Sequence, residues 1–308
     1  MPAAAVDAPP ADPAAPPPAD AAAKPKPPPY SLPWQLRPAV AASVVRSDTA
    51  FAFYHAPKPN DGKSGFTAAS MLLFSYKVMD SLAPLVRLGL VSNSPPEVSA
   101  ASPDSATIFI NPVVGATFAP KIHDKLKLAL FLGLTIPVGQ GGGDKPDPDK
   151  AAALSAGIFA RSAMDNAMFA VNYFTVFPGV DFAYVSDGLT LQVEATVFQL
   201  TKTRGPDTLQ DSNTNFTSGF HAGYFIIPQL SLGAEIRHQR WLSTPKAPPV
   251  NVNNNLRDTT TFAVGPRVHI KLGEKSWFRP GIAFAMPLDK PMTDAGYKIV
   301  QLDLPFAF

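Results

Sequence analysis

Twelve stretches of alternating apolar and polar residues, joined by connections that are tight and long in turn, constrain this chain more than any other feature of it. The stretches lie near residues 34–46, 65–78, 82–93, 105–119, 125–138, 173–185, 189–202, 214–227, 229–242, 259–272, 277–287 and 297–308. Most are about twice the five or six residues of an ordinary strand, the length a tilted strand needs to cross a bilayer. The links after even-numbered stretches are tight: Met79 to Ser81, Pro120 to Asp124, Ser186 to Gly188, Ile227 to Gln229 and Gly273 to Lys275. The others are longer and polar, at 47–64, 94–104, 139–172, 203–213, 243–258 and 288–296. A soluble sandwich has no reason to keep such alternation.

Composition agrees. Only 16% of the residues are charged, against about 25% in a soluble domain, yet no apolar run reaches the roughly 18 residues of a spanning helix. Lipid-facing and lumen-facing residues that alternate along a strand dilute each other in this way. The net charge of +2 gives no electrostatic footprint for nucleic acid. The absence of cysteine removes disulfides, thiol catalysis and Cys-based zinc sites together.

From about Trp34 to Phe308 the chain resembles the outer-membrane β-barrel proteins of Gram-negative bacteria, which join an even number of strands by short periplasmic turns and long external loops. The resemblance implies an all-β fold, a transmembrane antiparallel up-and-down β-barrel of about twelve strands with both termini periplasmic. A second likeness lies in the last stretch. Val300, Leu302, Leu304, Phe306 and the final Phe308 share one face, which looks like the C-terminal signal read by the barrel-assembly machinery. Outer-membrane lipid, lipopolysaccharide and that machinery are the partners this implies. No cofactor, metal or catalytic residue is expected.

Parity assigns the two faces, because a one-residue slip would turn the apolar set inward. Leu126, Leu128, Leu130, Leu132, Leu134, Ile136 and Val138 must face lipid, as must Phe262, Val264, Val268, Ile270 and Leu272. The opposite parity carries nearly all the intramembrane charge: Arg37, Arg87, Asp181, Glu194, His221, Glu235, Arg237, Arg267, His269, Arg279 and Asp303. Counted from the tight turns, most of these form a belt near mid-membrane. One reading of the belt is a ladder of ion pairs, such as Glu194 with a neighbouring cation or Glu235 with Arg267. The other is a constriction that selects polar or charged solutes. Aromatic residues near the turns, including Tyr76, Tyr184, Tyr224 and Phe308, fit an interfacial girdle, with Phe216, Phe262 and Tyr297 toward the other rim.

The connection 139–172 is expected to be partly helical over Ala151 to Ala170, either folded into the lumen as a plug or lying over the mouth; the alternative is that it extends the neighbouring strands above the membrane. As a plug it would bring Arg161, Asp165 and Asn166 to the charged belt. Its glycines lack the Gly-Lys-Ser/Thr ending of a phosphate loop; Asp144, Asp147 and Asp149 are either a solvated tip or an external cation site. Residues 1–33 are almost wholly Ala, Pro, Asp and Lys and read as a disordered periplasmic tail, a spacer or an arm touching peptidoglycan through Lys24 and Lys26. Its start shows no leader, which has either been removed or lies upstream of a mis-set start. The barrel domain is expected over 34–308.

The working expectation is a channel for diffusion of small polar or charged solutes through a narrow, loop-gated lumen. The alternatives are a non-conducting structural or adhesion barrel acting through its external loops, and an outer-membrane phospholipase. The last needs a Ser–His pair on the outward face, for which only His238 and Ser243 offer a start.

Overall fold

A computed structural model describes residues 30–56, 58–60, 62–243 and 257–308. The expected tail, with Lys24 and Lys26, lies outside them apart from residues 30–33, and so does most of the connection 243–258. The strands are β1 (Val44–His55), β2 (Ser64–Ser75), β3 (Leu82–Ser94), β4 (Ala106–Phe109), β5 (Val113–Phe118), β6 (Leu126–Thr135), β7 (Tyr173–Ser186) and β8 (Leu189–Lys202). They continue as β9 (Ser212–Ile227), β10 (Leu230–Trp241), β11 (Asp258–Val268), β12 (Ile270–Lys271), β13 (Trp277–Phe278), β14 (Gly281–Pro287) and β15 (Lys298–Ala307). Three crossings are broken in two, at β4/β5, β11/β12 and β13/β14, so the wall has twelve crossings.

Each crossing pairs antiparallel with its neighbours, and β1 closes the sheet on β15 from Val44 opposite Ala307 to Phe53 opposite Lys298. Closure removes the sheet edges that an open array would expose. Side chains alternate as parity requires. Leu130, Leu132, Val264, Ile236 and Leu302 stand exposed on the outer face, while Ala129, Ala263, Glu235 and Asp303 are buried within. Between β7 and β8 the turn is two residues, Asp187 and Gly188, with φ of 51° and 84°. Positive φ at both positions is the hairpin geometry that matches strand twist, and it is why Gly stands second.

The first crossing differs from expectation. It begins at Val44 rather than Trp34, and the loop after it shrinks from 47–64 to 56–63. Pro33 and Pro38 interrupt the earlier stretch, and its backbone groups are taken up by side chains inside the barrel instead of by a neighbouring strand. Arg37 is therefore not a wall residue. Tyr297 also departs from expectation: it is buried and stacks on Tyr54 at 4.8 Å between ring centres, inside the long-loop end and not on an outer girdle.

Candidate functional site: the occluded lumen

Two inserts enter the barrel. The first is the segment Tyr30 to Ala42, a strap laid along the inner wall at the short-turn end. Trp34 and Leu36 are fully buried, and most of the anchoring contacts come from the wall. Glu235 accepts hydrogen bonds from the backbone N–H of Trp34 at 2.5 Å and Gln35 at 3.3 Å, and Glu194 accepts from Arg37 N at 2.6 Å. Ser31 N donates to Thr190 Oγ1 at 2.9 Å, and Gln192 Nε2 donates to Arg37 O at 2.5 Å. Arg46 donates to the carbonyls of Pro33 and Trp34, and Arg267 to that of Pro33.

The wall leaves room for this strap by omitting side chains. A Cβ on Gly219 would lie 2.7 Å from Leu36 Cδ2, one on Gly223 2.2 Å from Ser31 Oγ, and one on Gly179 2.5 Å from Arg37 Nη2. These glycines would weaken ordinary strands. Here they form a trough.

The second insert is the long connection 136–172. Asp147 caps α1 (Pro148–Ala160), its side chain accepting from Asp149 N at 3.0 Å and Lys150 N at 3.2 Å, with Pro148 in the first turn. The helix packs inside against β1 to β4. Its Ala153 and Ala160 join Ala167, Met168, Phe169, Val91, Ile108 and Ile110 in one apolar cluster. The short α2 (Asn166–Phe169) follows, and where the wall breaks between β4 and β5, Asn111 N donates to Met168 O at 2.9 Å.

Charge fixes this plug. Arg161, 0% exposed, makes a fork of two 2.8 Å bonds to Asp48 and a third 2.8 Å bond from Nε to Asp165. Asp165 also lies 2.5 Å from Arg87. Asn166 Nδ2 donates to Asn215 Oδ1 at 3.1 Å across the lumen. Plug and strap meet where Gln35 Nε2 donates to Arg161 O at 2.6 Å.

The residues named from parity lie as follows. Arg37, on the strap, reaches Glu194 at 3.2 Å and Asp181 at 3.6 Å. Glu235 pairs with Arg237 at 2.8 Å and His221 at 3.4 Å, and not with Arg267 as expected; Arg267 instead takes Asp303 at 2.5 Å. The reason is position: Arg237 stands two residues along the same face of the same strand, whereas Arg267 reaches across Gly281 to Asp303 in the same row of the sheet. His269 is hydrogen-bonded to Ser231 at 2.8 Å. Arg279 lies over the Trp277 ring at 5.4 Å.

Sequence reasoning missed Arg46 and Asp48. Setting the first strand ten residues early placed Asp48 in an external loop, although Arg46, Asp48, Ala50, Ala52 and Tyr54 share one buried face. That alternation was the available signal. His238 and Ser243 do not meet: the first contacts Thr260, the second Asn213 and Thr214. Asp147 serves as the helix cap and Asp149 accepts from Asp104 N at 2.8 Å; among the described residues no group of acidic and histidine side chains is arranged to hold a metal ion.

Between strap and plug a cavity of about 170 Å³ remains. Phe131, Phe177, Phe198, Met71, Met164 and Met168 line it on one side, and Arg37, Arg46, Arg87, Asp165 and Glu194 mark its polar rim.

A family profile described as "Putative MetA-pathway of phenol degradation" matches residues 70–279. No curated protein shows a significant match. Among solved structures, an outer membrane channel from Pseudomonas putida F1 is similar at 13% identity and a TM-score of 0.57, over 89% of this chain and 98% of that one. The KdgM porin (10% identity, 86% of this chain and 99% of that one) and the NanC porin (8%, 85% and 98%) each give a TM-score of 0.46. The fold is that of a porin-like β-barrel of the outer-membrane kind, with both ends of its wall at the short-turn end.

Proposed function

The chain belongs to the family described as a putative MetA pathway of phenol degradation, and from that premise we propose that it is an outer-membrane diffusion channel held closed at rest by its strap and its plug. One observation carries the reading: the strap is docked on the wall by side-chain contacts, the plug by side chains and by two backbone bonds at the β4/β5 break, from Asn111 N to Met168 O and from Gln140 N to Phe109 O, and neither contributes a strand, so each can leave without breaking a strand pair. Twelve strands enclose more room than the eight that side chains alone can fill, and less than the wide bore of sixteen. The solute is small. A cavity of about 170 Å³ is close to the roughly 150 Å³ that holds a benzene-sized body, which suits the aromatic chemistry in the family's description.

Planar-bilayer recordings test this. The whole chain is expected to conduct weakly, deletion of 141–170 or of 31–42 to raise conductance in steps, and deletion of both to give a stable open pore. A barrel that stays closed without both inserts would be a non-conducting structural barrel. In the open form, neutralising Arg87, Arg267 and Arg279 should shift selectivity toward cations; unchanged selectivity would reduce the belt to a ladder of structural pairs.

A further inference from the structure

Asp181 and Glu194 stand directly opposite each other on β7 and β8. Like charges in that position repel, and burial makes an uncompensated pair costly. Strands β6 to β9 put no arginine on their luminal face, and Lys127 and Lys202 lie at opposite strand ends. Among the described residues, the ion pairs of these two carboxylates are both with Arg37 of the strap. The wall thus holds a site for a cation that it does not itself supply.

The site is built around that cation. The Arg37 guanidinium lies 4.6 Å from the centre of the Phe131 ring, a cation–π distance. Its Nη2 donates to Thr196 Oγ1 at 2.5 Å, and Gly179 leaves the space it occupies. Yet the fit is incomplete. Asp181, 1% exposed, has an Oδ2 with no hydrogen-bond partner, and it faces Arg37 Nε, which has none either. A freely placed guanidinium or ammonium would satisfy what a tethered one cannot. Phe131 packs tilted against Phe177 at 5.4 Å and Phe177 stacks on Phe198 at 5.2 Å, a row that leads from this site into the ring-sized cavity.

We propose that Arg37 is a built-in stand-in for the solute, and that the Asp181–Glu194–Thr196–Phe131 cage binds a monovalent organic cation, a guanidinium or primary ammonium carried on a body the size of one aromatic ring. Binding displaces the Arg37 side chain and loosens the strap, whose remaining anchors are at Thr190, Glu235, Arg46 and Arg267, so the solute begins to unlock its own path. This rests on the channel reading and names the solute class for it.

Calorimetric titration of the folded, detergent-solubilised protein tests the proposal with benzylguanidinium and benzylammonium as probes, and benzyl alcohol and phenylacetate as neutral and anionic controls. The cations are expected to bind and the controls not. Arg37→Ala should tighten cation binding by about tenfold or more, because the site is no longer self-occupied, and Arg37→Lys should restore the weaker value. Asp181→Asn with Glu194→Gln should abolish binding. Arg37 lies outside the wall, so its variants test the idea even where the carboxylate variants fail to fold. Equal binding of benzyl alcohol, or an affinity unmoved by Arg37→Ala, would overturn the proposal. A barrel lacking 31–42 that binds the cations but never conducts would defeat only the channel reading; one that conducts but binds without regard to charge would defeat only this one.

Discussion

Arg161 carries the plug at the scale of single residues. A guanidinium wholly removed from water is tolerable only when its donors are met, and here Asp48 and Asp165 meet three of them. Truncation leaves two carboxylates facing each other around Arg87. Arg161→Ala is therefore expected to weaken plug docking by roughly 3–5 kcal/mol, seen as higher bilayer conductance and faster protease cleavage in 141–170, with the barrel itself still folded. Acid should act at the same point. Burial opposes the charge on Asp165, but Arg87 and Arg161 outweigh it and hold the carboxyl below its ordinary value. A depressed carboxyl contributes its docking energy above the ordinary pKa of about 3.9 and loses it as pH falls through the lower docked value. Conductance should thus stay flat from neutral to about pH 5 and rise only below about pH 4; a rise already near pH 6 would point to another group.

Elements divide into those that form the wall and those that lie upon it. A wall strand is fixed by its neighbours' backbone, whereas the strap is fixed by side chains and by the absence of side chains at Gly179, Gly219 and Gly223. Gly219→Leu should consequently expel the strap while leaving β9 paired. The expected readout is a red shift of the emission of Trp34, now buried against His221 and Arg267, together with raised conductance. An unshifted emission would mean that the strap finds a second seat. Helix α1 was legible before its location was, from the Ala-rich run that begins at Ala151, although the helix itself starts three residues earlier, at Pro148 behind the Asp147 cap. The strap was not legible as such, because Trp34, Leu36 and Arg37 mimic one turn of strand alternation, and nothing local distinguishes a residue pointing into a lumen from one lying in it.

For the whole molecule the outer face sets the terms of insertion. Leu132, more than half exposed on the lipid side of β6, is a fair probe: Leu132→Arg should cost roughly 2–4 kcal/mol if the position lies near the midplane, measured by urea titration of folding into lipid vesicles, and an effect near zero would move it to the interface. What the sequence determined by itself was the wall. Strand number, up-and-down order, orientation and the luminal parity of Arg87, Asp181, Glu194, Glu235, Arg267 and Asp303 all follow from period-two alternation and from the lengths of the links. Both are local quantities, written in consecutive residues. What the tertiary structure decided was the contents of the lumen: that Val44 and not Trp34 starts the wall, that Arg46 and Asp48 belong to the belt, that Glu235 takes Arg237 in place of Arg267, and that strap and plug meet at Gln35 and Arg161. Those choices turn on which charges face each other across the barrel. Partners such as Asp48 and Arg161 are 113 residues apart in the chain, and no pattern in consecutive residues encodes which cation will reach which carboxylate once the sheet has closed.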